Sequence, residues 1–405
     1  MDLQSGRFYW DTTFIDPPEY PSLAEDIQCD VLIIGAGSSG AQVAYDLKDT
    51  GLNVVVIDQY KAGMGSTRTN TALVQYLGDK MTYELVNSFG EEAAMMHTTL
   101  CRDAINHIEK ASKKMRINPD FRRRDTLYRA STVEDIEKLK KDFHFLSTYK
   151  FDADLITQKK IEKHYPFTAP AAIYSKNDAD LNPFKHNHGL LDLAHEAGVR
   201  VYEQTEISGK KINADRCTYY TKSGFVIEAK HVVVAAGYES LTFQKNKNAV
   251  LESSYCIVTS PVDDLSDWYR ETLIWETARP YVYMRTTVDG RILVGGLDET
   301  TPYPDRRDSM LLSKRDNLVK EFNKLFPDIS IEAEYYYGAF FGGTHDGLPI
   351  LYEHKDSPHH LFLLAYGDNG LVYSNVLSSI VKEKLTGGKH EAEDLYSRSP
   401  AAIRS

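Results

Sequence analysis

Apolar runs separated by glycine, proline and polar stretches divide the chain, and the spacing within each run predicts its element. The first sustained run, Val31 to Ile34, reads as a strand; glycines follow, then a helix over about 40–49, Gly51 as its stop, and a second strand from Val54 to Ile57. That order opens a β-α-β unit. Between Glu91 and Met115 the positions Met96, Cys101, Ala104, Ile105, Ile108 and Ala111 recur mostly three to five apart, the stripe of an amphipathic helix. A further helix is expected from Thr132 to about Phe145, with Ser131 and Glu134 at capping-box spacing.

From Tyr255 to Gly296 the pattern changes to β-branched and aromatic runs, and "ARPYVYMRTTVDGRILVGG" predicts a hairpin turning at Asp289-Gly290. The last third returns to strand, glycine turn and helix, with "HLFLLAYGDNG" as a strand entering the turn and "LVYSNVLSSIVKEKLTGG" as a helix stopped by glycine. Residues 1–27, with Pro17, Pro18 and Pro21, are expected to form an extended arm across the surface. No repeat or low-complexity tract interrupts the chain.

Composition narrows the function. The 405 residues are 42% hydrophobic and 26% charged, the mixture of a globular protein with two or three cores. With 47 basic and 58 acidic residues the net charge is −11, which argues against nucleic acid or an anionic membrane as the main partner. Cys29, Cys101, Cys217 and Cys256 lie far apart without a CxxC pair or metal-type spacing, so neither disulfides nor a metal is expected and a reducing compartment fits. The first 27 residues lack the apolar stretch of a secretion signal, and no apolar run reaches the roughly 18 residues of a membrane helix, so a cytoplasmic location without membrane insertion is expected.

The strongest chemical signal is Gly35, Gly37 and Gly40 spaced as GxGxxG, with Ser38 and Ser39 between them and Asp58-Gln59 ending the following strand. The first glycine permits a tight turn, the second lets a pyrophosphate approach the backbone, the third packs helix on strand, and the acid accepts from ribose hydroxyls. An acid there disfavours a 2′-phosphate and leaves NAD and FAD. Three stretches favour FAD: "AGMGSTRTNTAL", carrying Gly65, Ser66, Thr67, Asn70, Thr71 and Ala72; "HVVVAAGYES", breaking at Ala236-Gly237; and "YGDNGLVYSNV", where Gly367, Asn369, Gly370 and Leu371 start a helix. Such a helix start stabilises the negative charge of a reduced flavin ring.

With "DADLNPFKHNHGLL", "EISGKKI" and "GTHDGLPIL", these motifs make the sequence similar, over nearly its whole length, to the D-amino-acid-oxidase-like family of FAD oxidoreductases. The resemblance implies an α/β fold: a Rossmann-like FAD-binding domain assembled from segments 28–88, 180–250 and 336–395, and a second, mixed-sheet substrate domain from 89–179 and 251–335. It adds Ile207 and Gly343 to the cofactor-binding residues. It implies oxidation of a C–N bond of an amine or amino acid, with hydride passing to flavin N5, hydrolysis of the imine, and electrons then passing to O2 or an unknown carrier. Oxidation of a C–O bond in a hydroxy acid or polyol, and a flavoprotein without turnover, remain alternatives.

Two departures from the family bear on the substrate. Phe341 and Asp368 occupy positions where family members carry arginines, one of which grips the substrate carboxylate. A buried carboxylate without a cation is costly, and the available replacement is Arg285, which strand alternation places on one face with Tyr281 and Tyr283. Asp368 either holds a cationic amine or bonds its own turn. The family's covalent attachment points correspond to Tyr337–Gly343 and Arg68–Asn70, without the cysteine or histidine required, so the FAD is expected to be non-covalent. His345 is the histidine closest to the flavin by resemblance, whereas His186 and His188 have no nearby acid to complete a metal set. Arg122-Arg123-Arg124 reads as a solvated loop face, and of Tyr335, Tyr336 and Tyr337 alternation sends the middle one opposite its neighbours.

Overall fold

A computed structural model describes residues 1–397 apart from 79, 214, 244 and 355. The chain builds two mixed sheets flanked by helices. In the eight-stranded sheet, Ser357–Leu364, Val226–Val234, Ile27–Ile34, Val54–Ile57 and Arg200–Tyr202 run parallel in that spatial order, and Ile350–His354 is an antiparallel edge. Val31, Ile33, Val54 and Val56 point into one core, while Leu32, Ile34, Val55 and Ile57 point into another. Both faces are therefore covered, which is why these strands are continuous apolar runs rather than alternating ones. Helices Ser38–Leu47, Pro183–Glu196 and Gly370–Leu385 pack together beside this sheet.

The ten-stranded sheet follows the order Gln4–Arg7, Ala333–Thr344, Ala249–Thr259, Ile292–Glu299, Val282–Thr286, Leu273–Glu276, Arg122–Arg129, Ala171–Asp180 and Leu73–Val74, and Ala153–Thr157 pairs beside Ala171–Asp180. The hairpin at Asp289-Gly290 joins Val282–Thr286 to Ile292–Glu299, with Gly290 at φ 75° in its loop. Glu91–Ser112 is the long amphipathic helix.

Four features differ from the sequence reading. The arm is structured: Gln4–Arg7 pairs with Ala333–Thr344, and Trp10–Thr13 is a short 3₁₀ turn with Tyr9 and Trp10 each 3% exposed. Its prolines begin only at Pro17, so the first thirteen residues are free to fold. Ala333–Thr344 lies in the ten-stranded sheet, so residues 336–344 leave the nucleotide-binding segment in which the sequence reading put them. The capping box before Ile136–Thr148 is formed by Thr132 and Asp135, one residue later than Ser131 and Glu134, because Ser131 Oγ donates instead to Glu276.

The fourth is the arginine run, which is a half-buried strand and not a solvated loop. Asp180, completely buried, accepts from Arg122 Nε at 2.9 Å and Nη2 at 2.7 Å and from Arg124 Nε at 2.9 Å. Arg123 pairs with Glu109 and Arg124 also with Glu271. These partners are far away in sequence, which a local charge count does not see.

Candidate active site

Two cavities meet at the carboxyl ends of the parallel strands, where an open α/β sheet places its ligands. The larger, about 420 Å³, runs from the glycine turn to the start of helix Gly370–Leu385. Gly35 has φ 112°, and a Cβ there would lie 2.4 Å from the Ala235 carbonyl oxygen; one on Gly40 would lie 1.8 Å from the Gly35 oxygen. The turn thus closes only with glycine at both places, and Gly40 packs the helix without lining the cavity. Gly37 caps the helix. Ser38 N–H donates to Thr67 Oγ1 at 3.0 Å, and the Ser39 and Ser374 hydroxyls bond at 2.8 Å, joining the two helix starts.

Asp58 lines the same cavity, with one carboxylate oxygen accepting from Ala36 N–H at 2.7 Å and the other from Tyr60 N–H at 2.8 Å. Burial, reinforced by Glu239 and Glu203, pushes its carboxyl up to about 6. Gln59 Nε2 donates to Glu239. Gly65, Ser66, Thr67, Asn70, Ile207, Ala236, Gly237 and Gly370 complete the expected lining.

The remaining expected cofactor residues lie outside this cavity. Thr71 and Gly367 line the neighbouring one. Asn369 is a brace, its Nδ2 donating to the Gln75 and Leu77 carbonyls; Ala72, at φ 52°, donates its N–H to Asn70 Oδ1; Leu371 is core; Gly343 ends a strand. Sequence reasoning missed Tyr238, Glu239, Thr205, Tyr366 and Ser374. Tyr238, Glu239, Tyr366 and Ser374 sit inside motifs already marked by glycines, so reading past the glycine to the next side chain finds them.

The second cavity shares Ser66, Asn70, Tyr238 and Gly370 with the first, so the two adjoin along these residues. Its walls carry eight aromatic side chains: Tyr238, Tyr255, Trp275, Tyr281, Tyr283, Tyr337, Phe340 and Phe341. Tyr283 faces Gly295 across the strands, and a Cβ on Gly295 would come 2.3 Å from its hydroxyl, so that glycine makes room for the phenol. Burial holds the Tyr283 and Tyr337 phenols well above their ordinary value, and both are neutral. Phe341 and Asp368 line this cavity together with Gln75.

Arg285 does not. Tyr281 and Tyr283 turn into the aromatic cavity, but the Arg285 guanidinium is taken up behind its wall: Nε donates to the Thr71 carbonyl at 2.7 Å, Nη2 to that of Leu181 at 2.8 Å, and Nη1 lies 3.6 Å from Asp180. The arm's Trp10 covers it at 5.0 Å and donates its own Nε1–H to the Asn70 carbonyl, so arm and arginine together hold the Asn70–Thr71 backbone against both cavities. His345 sits on an exposed turn, its N–H bonded to Asn248, and lines neither cavity. His186 and His188 are buried in helix Pro183–Glu196 and pushed down to about 4 by burial, hence neutral. Among the described residues no group of three or more His, Cys, Asp or Glu could hold a metal ion, and no helix is long and apolar enough to cross a membrane.

The residues fit FAD. The turn of Gly35 and Gly37 and the start of helix Ser38–Leu47 would hold the pyrophosphate, Asp58 the ribose, and the start of Gly370–Leu385, where the cavities adjoin, the flavin ring. An ionised Asp58 accepts from a ribose hydroxyl and a protonated one does so poorly. FAD affinity is therefore expected to be full above about pH 6 and to weaken as pH falls through it, with Asp58→Asn removing the inflection; titrating apoprotein with FAD across this range checks it.

Comparison with known proteins agrees with this geometry. A protein of Bacillus subtilis described as a Rieske 2Fe-2S iron-sulfur protein is 27% identical over 303 residues, which cover 74% of this chain but only 58% of that longer relative. Gamma-glutamylputrescine oxidoreductase of Escherichia coli is 22% identical over 400 residues, 94% of this chain and 89% of the relative. The crystal structure of glycine oxidase from Geobacillus kaustophilus superposes with a TM-score of 0.75 at 18% identity, covering 90% of this chain and 96% of that one. Residues 30–383 match the FAD dependent oxidoreductase (DAO) family, and on that match, with a cavity at the expected strand ends, the chain belongs to the DAO family of FAD-dependent oxidoreductases.

Proposed function

We propose that this enzyme oxidises the C–N bond of an amine or amino acid bound in the aromatic cavity. The observation that carries the reading is the adjacency of the two cavities, which have Ser66, Asn70, Tyr238 and Gly370 in common, so that a small molecule in the aromatic pocket would lie beside the place where the flavin ring would sit. FAD supplies the two-electron acceptor. The chain's own part is to orient the substrate, exclude water with its aromatic walls, and present the Gly370 helix start to developing negative charge. The reading has hydride lost from an already neutral amine; among the described residues no histidine or lysine lines either cavity, and Asp368 is the carboxylate in the wall of the aromatic one. Glycine oxidase and gamma-glutamylputrescine oxidoreductase are named for nitrogen-containing substrates, which favours C–N over C–O oxidation.

The electrons pass on to O2 or to a carrier, and the four cysteines, all buried free thiols, support a cytoplasmic setting. Among the described residues neither cysteine nor histidine lines the nucleotide cavity, and burial pushes the thiol of Cys256, which lines the aromatic one, up to about 12, so non-covalent FAD is expected and acid precipitation should leave all the yellow colour in the supernatant. Product analysis tests the reaction: one carbonyl compound and one amine or ammonia per flavin reduced are expected, and a ketone or aldehyde formed with no nitrogen released would overturn it in favour of C–O oxidation.

A further inference from the structure

We infer that the aromatic cavity is a cation site, taking amines that carry no carboxylate beside the reacting carbon. The inference deepens the reading above and rests on it for the position of the flavin. Its first support is the balance of charge: eight aromatic side chains and Asp368 line the cavity, and among the described residues no arginine, lysine or histidine does. Arg285, the arginine that strand alternation placed on this face, is committed behind the wall to the Thr71 and Leu181 carbonyls and to Asp180, and Arg279, Arg307 and Lys314, which lie over the Tyr281, Phe340 and Tyr255 rings, are not among the residues lining the cavity. A carboxylate entering here would lose its hydration and gain only neutral donors, whereas a cation gains ring faces whose attraction grows as water is excluded.

The second support is Gln75. Thr126 Oγ1 donates its single proton to the buried Asp178 at 2.6 Å and so accepts from Gln75 Nε2 at 3.3 Å. This fixes the amide with Nε2 toward Thr126 and leaves Oε1 as the acceptor of a side chain that lines the cavity. An acceptor suits the N–H of an amine or of the iminium it becomes, and repels a carboxylate.

The site also fits the chemistry. When the substrate C–H bond breaks, its electron pair leaves as hydride to FAD, the nitrogen lone pair forms the C=N bond, and the substrate becomes an iminium cation; the amine is oxidised and FAD reduced. Positive charge thus appears in the cavity during the step, where the ring faces and Gln75 stabilise it more than they do the neutral amine, and the Asp368 carboxylate, which accepts from Tyr373 Oη at 3.5 Å, adds its charge at the wall.

The test uses FAD-loaded protein and three probes that cannot be oxidised here, each followed through its perturbation of the flavin band: tetramethylammonium, its neutral near-isostere tert-butanol, and benzoate. Tetramethylammonium is expected to bind at least about tenfold tighter than tert-butanol, and benzoate not to perturb the band. Asp368→Asn is expected to weaken tetramethylammonium about fivefold and leave tert-butanol unchanged, whereas a purely structural turn aspartate would move both alike. Equal affinity for the two isosteres, no binding of the cation, or preferential binding of benzoate overturns the inference. Selective binding of the cation by a protein whose flavin no amine reduces would sustain the cation site and overturn the proposed reaction; reduction by amino acids with benzoate as the best probe would do the reverse.

Discussion

Gly40→Val is expected to yield a protein that folds its ten-stranded sheet but purifies without FAD. The added Cβ would lie 1.8 Å from the Gly35 carbonyl oxygen, a backbone atom that cannot swing aside. Helix Ser38–Leu47 must lift from strand Ile27–Ile34, and its first amides leave the place where phosphate would sit. A displacement of this kind costs at least about 3 kcal/mol, or on the order of 100-fold in FAD affinity. Gly51→Ala is the matched control: Gly51 also has positive φ, 79°, but nothing lies within 4 Å of its Cβ position, so only the local strain of about 1 kcal/mol applies and FAD is retained. Flavin content after purification separates the two. A Gly40→Val protein with full flavin would show that helix and strand do not need their close contact.

The second large effect is expected at Asp180, fully buried beneath Arg122, Arg124 and Arg285. Removing the carboxylate in Asp180→Ala takes from Arg285, only 2% exposed, the carboxylate it pairs with, and leaves Arg122 and Arg124 with Glu271. Breaking one side of a buried pair costs about 3–5 kcal/mol, because what remains is a desolvated charge, not merely a lost contact. Arg122 and Arg124 retain some solvent, so a value near the lower end is expected. Arg285 also holds the Thr71 carbonyl, so the change should loosen the wall between the cavities and lower flavin retention along with the melting temperature. A melting temperature within a degree or two of the parent would mean that solvent screens this network.

The same arginines show where the sequence was legible and where it was not. The glycine turn, its helix and Asp58 were readable because each requirement is local: a turn that tolerates no Cβ, an apolar strand before it and an acid after the next strand all lie within a few dozen residues. The hairpin at Asp289-Gly290 and the helix Glu91–Ser112 were readable for the same reason. Arg122–Arg124 were not, because the partners that bury them, Asp180 and Glu271, come from other strands and loops. Strand alternation correctly put Tyr281, Tyr283 and Arg285 on one face, yet it could not foresee that Trp10 and the Asn70–Thr71 backbone would divide that face, with the tyrosines on one side and the arginine on the other. The arm's contribution escaped notice because Tyr9 and Trp10 form no periodic pattern of their own; they are buried by a sheet assembled from distant segments.

Within the site, cofactor residues were easier to find than substrate residues. Backbone approach to a phosphate demands glycine at fixed spacing, whereas a pocket wall demands only bulk and polarity, which many residues on many strands supply. The aromatic lining comes from strands Ala249–Thr259, Leu273–Glu276 and Ala333–Thr344, and only the fold brings Tyr255, Trp275 and Tyr337 together. Phe341 and Asp368 were visible in advance as departures from the family's arginines, and both line the cavity.

The most direct measurement of the central claim, that a nitrogen compound in the aromatic cavity delivers its electrons to FAD, is anaerobic mixing of the purified protein with a panel of amines, N-methyl amino acids, D-amino acids and hydroxy acids while the visible flavin band is followed. Bleaching by amines that lack a carboxylate beside the reacting carbon is expected, and none by hydroxy acids. A flavin bleached by hydroxy acids alone, or by none of the panel, would contradict it.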